Sequence, residues 1–185
     1  MTRDFGFDVM KEVRERWSPR AFAEGHIARE ELLPLFEAAR YAPSCFNEQP
    51  WLFVLATEPE GLELLRSFLA PKNRLWADRA PALAVLCART AFSRNGAHND
   101  WAEFDCGTAW GFLSLEAQRR GFITHAMAGF DRAAAAKGLK LRDDVRPMAM
   151  IAIGRYGDKS LLHADFLPLE EPGLRKPLKE VVIEP

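Results

Sequence analysis

The sequence predicts an α+β protein: a small central sheet with helices on both of its faces. Short apolar runs near residues 52–57, 82–88 and 147–153 have the length and boundaries of buried strands. Between them lie longer stretches whose apolar residues recur at helical spacing. The chain also lacks Gly-x-Gly-x-x-Gly, which argues against a parallel dinucleotide-binding sheet. Its 185 residues, 48% of them hydrophobic, suit a single domain spanning 1–185 with a substantial core. A formal net charge of −1 gives no electrostatic case for nucleic acid or an anionic membrane.

The elements follow in order. Phe7 to Arg16 reads as a short helix with Phe7, Met10, Val13 and Trp17 on one stripe. Arg16, Ser18 and Arg20 then alternate along an extended segment broken by Pro19. Alternation aims all three to one side, so they form either a phosphate clamp or a solvated basic turn. A broad apolar face marks a second helix from Ala28 to Tyr41, which Pro43 ends. Between Pro43 and Pro50 the stiffened loop carries Ser44, Cys45, Asn47 and Gln49. These small polar groups suit a planar ligand, and they also suit an ordinary helix-to-strand turn. Glu58 to Ala70 reads as a helix stopped by Pro71, with Asn73 just beyond.

Pro81 to Ala88 is a continuous apolar run, expected as a central strand with Cys87 an inert thiol. Residues 91–99 form a polar loop in which His98 is either simply exposed or part of a lid. The longest helical pattern runs from Asp100 to Gly121, where Gly121 is a C′ residue. Its seam of Phe104, Gly107, Thr108, Gly111, Phe112, Leu115 and Ala117 leaves a groove for another backbone, while Cys106 is assigned to packing. Phe122 to Asp131 leads into a short helix with Asp131 as N-cap. There Gly129 either lets a planar ligand approach or merely helps a strand turn into a helix. Arg146 to Gly154 is another buried strand, and the tail ends in a strand-like Leu178-Lys179-Glu180-Val181-Val182-Ile183.

Chemistry is constrained by what is missing. Three cysteines, odd in number and widely spaced, make neither a disulfide framework nor a zinc site, so no metal is expected. There is no His-Glu-x-x-His, Cys-x-x-Cys, Gly-x-Ser-x-Gly or Walker loop to supply hydrolysis or phosphoryl transfer. The opening Met1-Thr2-Arg3-Asp4-Phe5 is not the apolar run of a secretory leader, and no apolar segment is long enough to span a membrane. A reducing cytoplasm is the expected compartment.

Ala42-Pro43-Ser44-Cys45-Phe46-Asn47-Glu48-Gln49-Pro50-Trp51 resembles the hallmark loop of the FMN-dependent nitroreductase family. Arg16-Trp17-Ser18-Pro19-Arg20-Ala21-Phe22 is similar to that family's opening, Ala128-Gly129-Phe130-Asp131 to its flavin-contacting segment, and Arg175 to Val182 to its close. The resemblance implies a mainly antiparallel sheet and a homodimer in which the C-terminal strand, 178–183, is exchanged. It also implies FMN as cofactor. Arg16, Trp17, Ser18, Arg20 and Arg175 would meet the phosphate, with Trp17 standing where members often carry a second basic residue. The partner subunit would supply Pro43, Ser44, Cys45, Asn47 and Gln49. Asn73 would meet the pyrimidine edge, and Met127, Ala128 and Gly129 the ring.

No side chain need be catalytic, because the flavin carries the redox chemistry. NAD(P)H would donate a hydride and leave before a nitroaromatic, quinone or similar acceptor enters, which gives ping-pong kinetics. Arg20 and backbone donors are candidates for stabilising charge on the reduced ring. The rival expectations are a non-catalytic flavin or small-molecule binder and a helical interaction module.

Overall fold

Four strands form one sheet in the order β1-β2-β4-β3, each neighbouring pair antiparallel. They are β1 (Trp51–Ala56), β2 (Ala82–Arg89), β3 (Ile123–Met127) and β4 (Val145–Gly154). The structure is a computed structural model that describes residues 3–184; Met1, Thr2 and Pro185 of the expected 1–185 domain lie outside the described residues. The helices are α1 (Lys11–Glu15), α2 (Arg29–Arg40), α3 (Pro59–Phe68), α4 (Pro71–Ala77), α5 (Ala102–Arg119) and α6 (Arg132–Gly138).

β2 explains the layering. Leu83, Val85 and Cys87 face one apolar cluster, with Leu65, Phe68 and Trp76 of α3 and α4. Ala82, Ala84, Leu86 and Ala88 face another, with Leu32 and Leu35 of α2 and Cys106, Ala109 and Leu113 of α5. This period of two on a strand buried on both faces is why its sequence reads as an unbroken apolar run. Alanines on the α5 side let that helix approach closely. Pro147 lies inside β4 where the register to β2 shifts between Leu86 and Cys87, a bulge that tolerates a residue without an N–H.

The end of α5 bears out the expected cap. Gly121, at φ 74°, donates to Gln118 O at 3.0 Å, and Phe122 N donates to Ala117 O at 2.9 Å. That is a Schellman pair, with Phe122 buried beneath it. Asp131 caps α6 by accepting from Ala134 N at 2.9 Å. Both core thiols are inert as expected: burial pushes Cys87 up to about 11 and Cys106 to about 12.

Two expectations are corrected, and the exchanged tail strand is not formed within a single chain. α1 is shorter than Phe7–Arg16, beginning only at Lys11. Pro71 does not merely end α3; it opens α4 at the first helical position, where a missing N–H costs nothing. The tail forms no strand in this chain: Leu178–Glu180 is a 3₁₀ turn set off by Pro177, and Val181, Val182 and Ile183 are exposed.

Candidate functional site

A cavity of about 350 Å³ opens beside β3, lined by Arg3, Arg16, Trp17, Ser18, Arg20, His125, Leu169, Glu171, Gly173 and Arg175. The alternating residues Arg16, Ser18 and Arg20 thus line one cavity with Arg175 from the far end of the chain. Two anchors bring these segments together. Glu170, 4% exposed, accepts the backbone N–H of Arg20 with both carboxylate oxygens at 3.0 Å and that of Ala21 at 2.9 Å. On the other side, His125 Nδ1 donates to the Pro19 carbonyl at 3.0 Å, tying the segment to β3. An N–H shared with a carboxylate or carbonyl in this way fixes backbone position without consuming a guanidinium.

The electrostatics are those of an anion site. Burial lowers the Arg16 guanidinium, and repulsion from Arg3 and Arg175 lowers it further. Arg3 is likewise lowered by burial and by Arg175. Arg20 is lowered by burial, which Glu170 opposes. Its guanidinium sits 5.8 Å from the ring of Trp76 and 5.5 Å from that of Phe166, held on aromatic faces. Gathering like charges in partial burial is costly unless an anion joins them. The residues present therefore fit a phosphate-bearing ligand.

His125 completes the wall. Its ring lies 4.5 Å from Trp76, and burial, with Arg20 and Arg16 nearby, pulls its pKa down to about 4 despite the carbonyls of Pro19 and Ser18. At neutral pH it is uncharged, with the proton on Nδ1 and Nε2 bare.

A second group of predicted residues continues along the same edge. From the first turn of α4, Asn73 Nδ2 donates to Gly129 O at 2.9 Å. It lies one helical turn from Trp76. A Cβ on Gly129 would stand 2.8 Å from Asn73 Nδ2, so glycine allows this contact. Met127 is buried in the core, whereas Ala128 and Gly129 are exposed.

The remaining predicted residues lie elsewhere. Pro43, Ser44, Cys45, Asn47 and Gln49 precede β1, at the opposite edge of the sheet from β3. Three strand spacings separate the edges, roughly 14 Å. The loop is tightly held there. Phe46, Asn47 and Gln49 all adopt left-handed φ (52°, 56° and 50°), a conformation that costs non-glycine residues about 1–3 kcal/mol each. Ser44 Oγ accepts from Gln49 N at 3.0 Å, and buried Asp105 of α5 accepts from Cys45 N at 3.1 Å. Glu48 accepts from Ser93 N at 2.6 Å, which docks the loop on the 91–98 hairpin. His98 is exposed beside Asp100 and lines no described cavity.

Only part of the expected α5 seam is open, because Ala117 is fully buried against the sheet. Phe104 and Phe112 are exposed, and a Cβ added at Gly107 or Gly111 would meet nothing within 4 Å. Among the described residues no cluster of His, Cys, Asp or Glu could hold a metal, and no helix is long and apolar enough to cross a membrane.

The family described as Nitroreductase matches residues 13–155. The chain belongs to the nitroreductase family. A solved structure described as an oxidoreductase containing FMN is 33% identical, with TM-score 0.94 over 98% of this chain and 94% of its own. A Streptomyces griseus protein, named as a candidate NADH dehydrogenase/NAD(P)H nitroreductase, is 24% identical over 78% of this chain and 83% of its own. An uncharacterized 15.4 kDa protein of Mycolicibacterium smegmatis is 40% identical over 49% of this chain, a match that spans only 59% of that relative. For this nitroreductase family member the sequence reading missed five cavity residues, Arg3, His125, Leu169, Glu171 and Gly173. Arg3 and His125 sit in no local motif and reach the site through long-range hydrogen bonds, Arg3 to Arg16 O and Arg14 O and His125 to Pro19 O.

Proposed function

We propose that this protein is an FMN-dependent oxidoreductase that uses NAD(P)H to reduce flat, electron-poor acceptors such as nitroaromatics or quinones. One observation carries the reading: Arg16, Ser18, Arg20 and Arg175 line a single cavity in a chain of this family, and mutual repulsion leaves the site favouring a dianion. Arg16, Arg20 and Arg175 would hold the FMN phosphate, and Ser18 would add a hydroxyl. Asn73 and the exposed backbone of Ala128 and Gly129 lie along the same edge and would receive the ring. When bound, the flavin supplies the redox chemistry, taking a hydride from NAD(P)H and passing electrons to the acceptor. Neutral His125 keeps the Pro19 carbonyl engaged and offers no acidic proton to the site at pH 7.

The unit we propose is a homodimer of single 1–185 domains. Pro43–Gln49 cannot reach the arginines of its own chain, because the two lie at opposite sheet edges. A second copy packed on the α5 seam would bring its loop to this flavin, and the apolar tail would add to the partner's sheet. One shared acceptor and donor site then gives ping-pong kinetics.

The test is reconstitution. Purified protein supplemented with FMN should show flavin absorbance and oxidise NAD(P)H steadily with a quinone or nitroaromatic, giving parallel double-reciprocal lines. Arg20→Ala and Arg175→Ala should each weaken FMN retention, since a charge-assisted contact contributes about 1.5–3 kcal/mol. Flavin binding without turnover would identify a non-catalytic binder. Failure to bind any flavin would end the reading.

A further inference from the structure

Among the described residues, the buried Nε and Nη2 donors of Arg3 have no acceptor. The side chain is not loose, because Nη1 donates to Arg16 O at 2.7 Å and makes a longer contact of 3.4 Å with Arg14 O. Its fork is therefore fixed in direction, with one edge spent on the backbone and the other left over. That side chain lines the same cavity as Arg16, Ser18, Arg20 and Arg175. The carboxylates nearby are Glu171 on the lining and Glu170, whose oxygens receive the backbone N–H groups of Arg20 and Ala21.

A guanidinium presents planar, paired donors whose natural complement is two oxygens of one anion. Two buried donors left without an acceptor among the described residues, beside two further arginines, are costly, and an oxyanion would offset that cost. Repulsion from Arg175 on Arg3, and from both on Arg16, points the same way.

We propose that Arg3 is an additional ligand of the bound phosphate, gripping it through Nε and Nη2 while Nη1 ties the grip to the Arg16 backbone. This rests on the flavin reading above and extends it. Arg3 lies outside every motif that marks the family in this sequence, so the extra contact belongs to this chain's own N-terminal segment. With five ligating side chains, the phosphate would be enclosed from the N-terminal segment, the Arg16–Arg20 segment and the tail together. Loss of any one segment would then loosen the other two.

The experiment compares FMN with riboflavin, which lacks the phosphate, in the wild type, Arg3→Met and Arg3→Lys. Flavin fluorescence quenching gives affinities, and thermal midpoints without ligand report folding. Arg3→Met should bind FMN about tenfold or more weakly, riboflavin within about twofold of wild type, and Arg3→Lys should fall between, because it keeps charge but loses the fork. Unchanged FMN affinity in Arg3→Met would overturn the proposal. So would equal loss of FMN and riboflavin, which would mean that Arg3 serves only to prop Arg16. A second arm does not depend on the flavin reading: inorganic phosphate should raise the thermal midpoint of the wild type more than that of Arg3→Met. If the wild type binds neither flavin, the flavin reading fails by itself, and this arm still decides for Arg3 or against it. Equal phosphate shifts in the two proteins would then overturn it.

Discussion

His125 offers a prediction whose size follows from the structure. Folding lowers its pKa from 6.5 to about 4, through burial first and then the neighbouring Arg20 and Arg16. The unfolded chain therefore binds the proton more readily than the folded one. Stability from this group is present in full above pH 6.5 and is lost as pH falls toward 4. Linkage between those two values gives a loss of about 1.4 kcal/mol at pH 5.5 and about 2.5 kcal/mol at pH 4.5, relative to pH 8. His125→Gln keeps an amide donor for the Pro19 carbonyl but cannot titrate. Urea unfolding of both proteins across this range should show wild type falling below the variant by those amounts, because other titrating groups cancel in the difference. Saturating phosphate should shrink the gap, since an anion among the arginines favours protonated His125 and raises its pKa. Parallel pH curves for the two proteins would refute the assignment of a neutral, buried imidazole.

Gly129→Ala should break the Asn73–Gly129 contact, because the new Cβ would sit 2.8 Å from Asn73 Nδ2. A loss of about 1 kcal/mol in urea unfolding is expected, and it should be absent when the same change is made in an Asn73→Ala background. Glu170→Gln removes a buried carboxylate that receives two backbone N–H groups, so stability should drop by about 1.5–3 kcal/mol by the same assay, with weaker phosphate protection alongside. Sedimentation of flavin-loaded protein should show a dimer at micromolar concentration. Truncation before Pro172 should remove the dimer and FMN retention together, and a stable flavin-loaded monomer would defeat the composite site.

What was legible in the sequence was what local physics controls. β2 and β4 are buried on both faces, so their apolar runs could be nothing else. Gly121 was readable as a cap because a helix that ends in αL needs glycine. Alternation placed Arg16, Ser18 and Arg20 on one side, and the structure puts all three on one cavity. The misreadings have equally local causes. Pro71 carries the same signal whether it stops one helix or starts the next. β3 is a short edge strand interrupted by Thr124 and His125, so it lacks the run that announced the others. Illegible altogether were relations that only the fold creates: Arg3 to Arg16, thirteen residues apart, and His125 to Pro19, 106 apart.

The loop at Ser44–Gln49 shows how far the two kinds of information differ. Its composition announced a polar, stiffened turn, but not that Phe46, Asn47 and Gln49 would each be forced left-handed. A chain that needed only to join α2 to β1 could have placed glycine at those positions at lower cost. Keeping a strained loop that buried Asp105 and Ser44 must hold in place argues that its exposed amides have something to meet. The arginine-lined cavity lies beside β3, across the sheet from this loop, which is the physical reason for the proposal that two copies share the site.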